Sequence, residues 1–173
     1  MSRIMSGLGV VLAGVMVIVA VGCSHQKKEE GTKISASEVP AAVMNSVKAR
    51  LPGAEVTGVE KENENGGVVY DLELKQGGRK FEMDIKEDGT VMEIEKQVMS
   101  SDVPAAAMSN VKAKYPNATI KEIMEVNKVS GKQETPIHYE FTLMDGGKER
   151  ELVVSLDGSK VQTEEEAEKG EKK

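Results

Sequence analysis

Tryptophan is absent, cysteine occurs once, histidine twice, and aromatics make up only 3% of the 173 residues. Each shortage removes a possibility. One cysteine excludes an internal disulfide. Two histidines and one thiol cannot supply the four convergent ligands of a structural zinc site. Nucleophilic catalysis needs a base beside Ser or Cys. His25 falls in a polar leader, and His138 alternates outward from a strand. Net charge is −6, the wrong sign for tracking phosphates, so no nucleic acid is expected. The pairs Gly77-Gly78 and Gly146-Gly147 are not followed by helices and are not phosphate loops. Asp88-Gly89-Thr90 and Asp157-Gly158-Ser159 lack the spaced acidic ligands of a calcium loop and read as turns. Methionines 44, 83, 92, 99, 108, 124 and 144 fill gaps in an aromatic-poor core rather than bind copper. No cofactor, metal or catalytic residue is expected.

Against these shortages stands a repetition. Residues 37–54 read SEVPAAVMNSVKARLPGA and residues 101–118 read SDVPAAAMSNVKAKYPNA, eleven of eighteen positions being identical at an offset of 64. Most other positions are conservative swaps, such as Glu38/Asp102 and Arg50/Lys114. The chain therefore contains a tandem duplication. Each copy predicts a helix. Ser37 is the expected N-cap and Pro40 falls in the first turn. Val39, Val43, Val47 and Leu51 form an apolar stripe with Met44 beside it. Pro52 stops the helix, and Gly53 suits the turn that follows. Ser101, Pro104, the stripe Val103, Ala107, Val111 and Tyr115, and Pro116-Asn117 take these roles in the second copy.

Strands follow each helix. Val68, Tyr70, Leu72 and Leu74 alternate over 68–74, then Phe81, Met83 and Ile85 over 80–86, then Met92 and Ile94 after Asp88-Gly89. The second copy offers Ile137, Tyr139, Phe141 and Leu143, then Leu152, Val154 and Leu156, then Asp157-Gly158. A weaker strand is expected near 55–61 and near 119–127, and the hairpin within 127–140 is the divergent loop. The predicted class is α+β: two tandem repeats, 37–98 and 99–162, docked side by side. Each is an N-terminal helix packed on a roughly four-stranded antiparallel meander, with the far sheet face in water. All five aromatics fall on core positions. Residues 163–173 read as a disordered charged tail.

The N-terminus, MSRIMSGLGVVLAGVMVIVAVGC, has Arg3 followed by an uncharged run long enough to span a bilayer. An anchor or an ordinary secretory signal is one reading. The cysteine just past small residues, followed at once by polar SHQKKEE, resembles the lipobox of bacterial lipoproteins, with Ala20 where Leu is usual. That resemblance implies a signal peptide over 1–22, lipid attachment at Cys23, and a membrane-anchored flexible tether over 23–36. It also implies a cell-envelope location. Ser24, rather than Asp, resembles the pattern sorted to an outer membrane facing a periplasm if the source has one. The chain from Cys23 onward carries 22 basic and 29 acidic residues.

The unit VPAAVMNSVKARLPGAEVTGVEKE…VVYDLELKQGGRKFEMDIKEDGTV resembles the PepSY-like, β-lactamase-inhibitor-like family. The shared features are the Pro-Ala-Ala helix, the Pro-Gly-Ala turn, the Tyr-Asp-Leu strand, a Gly turn and a closing Asp-Gly turn. The resemblance covers 37–97 and 101–162. It implies an envelope protein with a binding or inhibitor-like role, no catalysis, and an envelope protein or peptidase as partner. The alternative is a structural or stress-related envelope lipoprotein with no enzyme target. Outward positions of the first copy are heavily charged, from Asp71 to Lys86. Those of the second are milder, so His138, Thr142, Val153 and Ser155 form the candidate contact patch. Tight interfaces lean on Trp, Tyr and Arg, which this surface largely lacks.

Overall fold

The computed structural model describes residues 31–64, 67–164 and 166–167. Cys23, His25 and the signal segment lie outside the described residues. The chain forms strand β1 (Thr32–Lys33), helix α1 (Ala41–Arg50), and strands β2 (Glu55–Glu64), β3 (Gly67–Gln76), β4 (Arg79–Lys86) and β5 (Val91–Gln97). Helix α2 (Ala105–Lys114) and strands β6 (Thr119–Ser130), β7 (Gln133–Asp145), β8 (Lys148–Ser155) and β9 (Val161–Thr163) follow. Among the described residues, the nine strands join one antiparallel sheet in chain order, β1 to β9.

The two copies therefore meet as neighbours within one sheet, joined by β5 against β6, where Ile94 faces Asn127 and Gln97 faces Met124. Partners across a ladder share a face, and residues two apart along a strand do too. Following that rule from Leu72, Met83 and Ile94 through Asn127 leads to Ile123, Phe141 and Leu152. These residues are core, so α1 and α2 cover the same side of the sheet. Two separate clusters form there. Val43 and Val47 of α1 meet Leu72, Leu74, Met83 and Ile85. Ala107 and Val111 of α2 meet Phe141, Leu143, Leu152 and Val154. Complete burial of a residue such as Leu72 or Phe141 contributes about 1.5–3 kcal/mol.

Several expectations need correction. Ser37 does not cap α1; the boundary residue is Pro40, whose extended ψ of 144° starts the helix and whose carbonyl accepts from Met44 N–H. Proline at 40 keeps Val39 extended, which places Ser37 inside a separate 3-10 turn (Ala36–Glu38) that Ser35 and Glu38 close reciprocally. Pro104 is likewise the N-cap of α2, displacing Ser101. The tether expected over 23–36 ends earlier, because Thr32–Lys33 pair with β2. At the other end, Thr163 is in β9, and Glu164, Glu166 and Ala167 are helical rather than part of an unstructured tail.

Bulges account for the core positions that alternation misplaces. Asp84 pairs with Glu93 but Ile85 with Val91, so Met92 is the extra residue and Val91 packs on the core instead. Val126 pairs with His138 but Asn127 with Pro136, leaving Ile137 unpaired and exposed. Leu156 lies past the end of β8 and is exposed too. The divergent loop is strand almost throughout, β6 and β7 closing on the Gly131 turn.

Each Asp-Gly turn docks on its own helix. Ser46 Oγ donates to Gly89 O at 2.6 Å, and Asn110 Nδ2 donates to Gly158 O at 2.8 Å. Residues 46 and 110 occupy the same repeat position. The copies read Asn-Ser and Ser-Asn there, and each places its donor at the second residue.

Candidate functional site: the open face of the sheet

Because both helices lie on one side, the other face of the sheet presents the alternate residue of every strand. One row across it runs Glu73, Glu82, Glu95, Val126, His138, Ser155, from β3 to β8. The next runs Gln97, Met124, Glu140, Val153, Gln162. A third holds Glu122, Thr142 and Glu151. On the flank of the first copy lie Glu60, Asp71, Asp84, Glu93 and Lys128. Like charges placed directly opposite repel, and this face does so repeatedly. Val126 and Met124 are buried here, at 0% and 5% exposure, on the side of the sheet away from α1 and α2. Long neighbouring side chains close over them.

At the junction of the copies, a depression of about 120 Å³ is lined by Lys80, Glu82, Glu95, Glu122, Glu140, Glu151 and Glu164, with Met124 and Val153 beneath. Lys80 is its cation. Its Nζ lies 2.7 Å from Glu82 Oε1 and 3.2 Å from Glu122 Oε2, and Gln97 Nε2 donates to Glu122 Oε1 at 2.9 Å. Burial pulls the Lys80 ammonium down, but the hydrogen bond and charge of Glu82, then those of Glu122, hold it above its ordinary range.

The carboxyls respond the other way. Burial first, then the charges of Glu140, Glu82, Asp84 and Glu93, push Glu95 up to about 9. A hydrogen bond with Glu164, then burial, raises Glu151 to about 7. Burial and the charge of Glu82 lift Asp71 to about 7, and its Oδ1 is buried without a hydrogen-bond partner. Protonated carboxyls donate hydrogen bonds as well as accept them, so at neutral pH the face mixes donors with acceptors. Among the described residues, no group of three or more His, Cys, Asp or Glu is arranged to hold a metal ion.

The four residues singled out from sequence share this face. His138 and Ser155 are directly opposite one another. His138 Nε2 sits 3.1 Å from Glu140 Oε1. Ser155 Oγ donates to Asp157 Oδ1 at 2.6 Å and accepts from Lys160 N–H at 3.0 Å, so the turn already engages it. Val153 faces Glu140, and Thr142 faces Glu151 and Glu122. Val153 is half-buried beside the depression rather than standing free.

The facing carboxyl pairs were missed, yet their signal is in the sequence. Glu82 and Glu95 of the first copy recur as Glu151 and Glu164, each displaced by 69 residues. Glu82 faces Glu95 across β4 and β5. The ladder of Leu152 with Thr163 brings Glu151 and Glu164 together the same way.

The sequence matches the family described as "Putative beta-lactamase-inhibitor-like, PepSY-like" over residues 25–93 and 69–161. The chain belongs to this PepSY-like family. No curated protein matches the sequence. Solved structures share the fold. One, from Bacteroides eggerthii and described among "putative periplasmic proteins", gives a TM-score of 0.53 at 15% identity, covering 72% of this chain and 88% of that one. A DUF2874 family protein from Bacteroides uniformis gives 0.52 at 14% identity, with coverage of 72% and 88%. Another from Bacteroides ovatus gives 0.50 at 15%, with coverage of 72% and 86%. At these identities the likeness speaks for the PepSY-like fold alone.

Proposed function

We propose that this PepSY-like protein is a non-catalytic, inhibitor-like binding module of the bacterial cell envelope, lipid-anchored through Cys23, that meets an envelope protein or peptidase with its open sheet face. Its architecture is two tandem units fused through one sheet. The observation that carries this reading is the placement of α1 and α2 on one side, which among the described residues leaves the opposite face of the sheet open. Such a face offers a broad, preformed surface on rigid strands. The family description is inhibitor-like, and the Bacteroides eggerthii structure is described among "putative periplasmic proteins". The lipobox-like segment before Cys23 agrees with that address.

Within the face, His138, Thr142, Val153 and Ser155 form the contact patch. Side chains there are shorter and less charged than those around Asp71 and Asp84, so desolvating them costs less. A photo-crosslinking residue placed at Val153 tests this in the native envelope. The control position is Ser109, exposed on α2. The reading expects one adduct of defined mass at 153 and none at 109. Equal labelling at both positions, or none at either, removes the patch and favours a structural lipoprotein.

A further inference from the structure

The duplicated carboxyl pair occurs in two different mechanical settings. Glu82 and Glu95 sit on interior strands, each held by neighbours on both sides. Glu151 and Glu164 sit at the sheet's last edge. There β9 has three residues, and its ladder consists of Leu152 with Thr163, Val153 with Gln162, and Val154 with Val161. Beyond the ladder, Lys114 holds the segment through Val161 O at 3.1 Å and Glu166 at 3.4 Å.

We propose that β9 is a proton-held strap: a proton shared between Glu151 and Glu164 fastens the strand to β8, and its loss lets β9 lift away. Two carboxyls can hydrogen-bond to each other only while one keeps its proton. Once both are ionised they repel at short range. The groups around Glu151 do not offset that repulsion. Glu140 faces it from β7, Glu122 from β6, Glu95 from β5 and Glu149 from its own strand, while Lys80 on β4 is already engaged by Glu82 and Glu122. The register of Leu152 with Thr163 puts the two carboxyls side by side at the depression, and the hydrogen bond with Glu164, then partial desolvation, raises Glu151 to about 7. The interior pair cannot relieve the same repulsion by moving, and Glu95 holds its proton up to about 9. Release of β9 would bare the edge of β8 at Leu152–Val154, a row of unpaired N–H and C=O groups suited to adding a strand.

The test is backbone 15N relaxation of the folded chain at pH 5.5 and pH 8.5. Order parameters for Val161–Thr163 should fall from about 0.85 to below about 0.6 in the wild type, with a midpoint near pH 7. Glu164→Gln keeps a hydrogen-bonding group without the charge and should stay rigid at both values, as should Glu151→Gln. Glu82→Gln, which alters the interior pair, should leave the transition in place. A wild-type β9 that remains rigid at pH 8.5 overturns the strap. So does a Glu164→Gln or Glu151→Gln protein that loosens as the wild type does.

Discussion

Arg50 and Glu134 lie 84 positions apart in sequence and 3.2 Å apart in space, Nη1 to Oε1. The same guanidinium also donates to the Gly131 and Lys132 carbonyls, and Lys96 Nζ reaches the other oxygen of Glu134 at 2.5 Å. The last residue of α1 thus grips the tip of the β6–β7 hairpin, which belongs to the second copy. That hairpin is the segment where the copies differ most. In the second copy the matching residue, Lys114, binds Val161 O and Glu166 instead.

Arg50→Ala should weaken this tie between the copies. The pair is partly exposed, so the expected cost is about 1–2 kcal/mol, above a free surface pair because one side chain serves several acceptors. Urea unfolding at pH 7 measures it. Hydrogen exchange should show the loss concentrated at residues 129–134.

Gly158→Ala should be far more damaging than Gly147→Ala. Both glycines have positive φ, 73° and 80°, so each substitution carries roughly 1 kcal/mol of backbone strain. A Cβ at Gly147 meets nothing within 4 Å, whereas at Gly158 it would stand 2.3 Å from the Ala107 nitrogen. The turn would have to leave α2 and lose the Asn110 bond, at a cost of about 3 kcal/mol or more. Thermal melts of the two variants, compared side by side, decide it.

Stability should decline as the medium becomes alkaline, and Glu95 should be a main cause. Its carboxyl is raised from 4.5 to about 9 in the fold, so the folded state keeps a proton that the unfolded chain releases. The contribution is therefore fully favourable below pH 4.5 and is lost progressively as pH rises to about 9. Glu95→Gln should flatten this slope and raise stability at pH 8 by about 1–3 kcal/mol. A denaturant series from pH 5 to pH 9 on both proteins gives the answer.

Cys23→Ser should abolish incorporation of labelled fatty acid and leave a longer, unprocessed chain. Gel mobility and metabolic labelling report both effects. Unchanged labelling would exclude lipid attachment at this residue.

How far the sequence was legible depended on the reach of each signal. Helix positions such as Val43, Val47 and Val111, and strand positions such as Leu72, Met83 and Phe141, followed from period alone and are core. Met92 and Ile137 did not, because a bulge shifts the alternation and is set by the partner strand. Ser37 failed as a cap because the proline after Val39 imposes its own backbone geometry on the helix start. Glu95 was not singled out. Its setting comes from Glu82 and Val126 on the neighbouring strands and from Glu140 beyond them, which no local window contains. The continuity of β5 with β6 was equally out of reach, since nothing in either strand names its partner.

The strand order has a kinetic consequence. Every ladder in this sheet joins strands that follow one another along the chain, and α1 and α2 are the inserts between them. No strand waits for a distant partner, so loop closure stays cheap at each step and contact order stays low for a protein this rich in strands. A chain emerging from its N-terminus can complete β2–β5 against α1 while β6 is still unformed. The first copy then presents β5 as a finished edge on which the second assembles. During synthesis, protection in Val69–Ile94 should therefore appear before protection in Phe141–Val154, as amide exchange on ribosome-bound chains of increasing length would show.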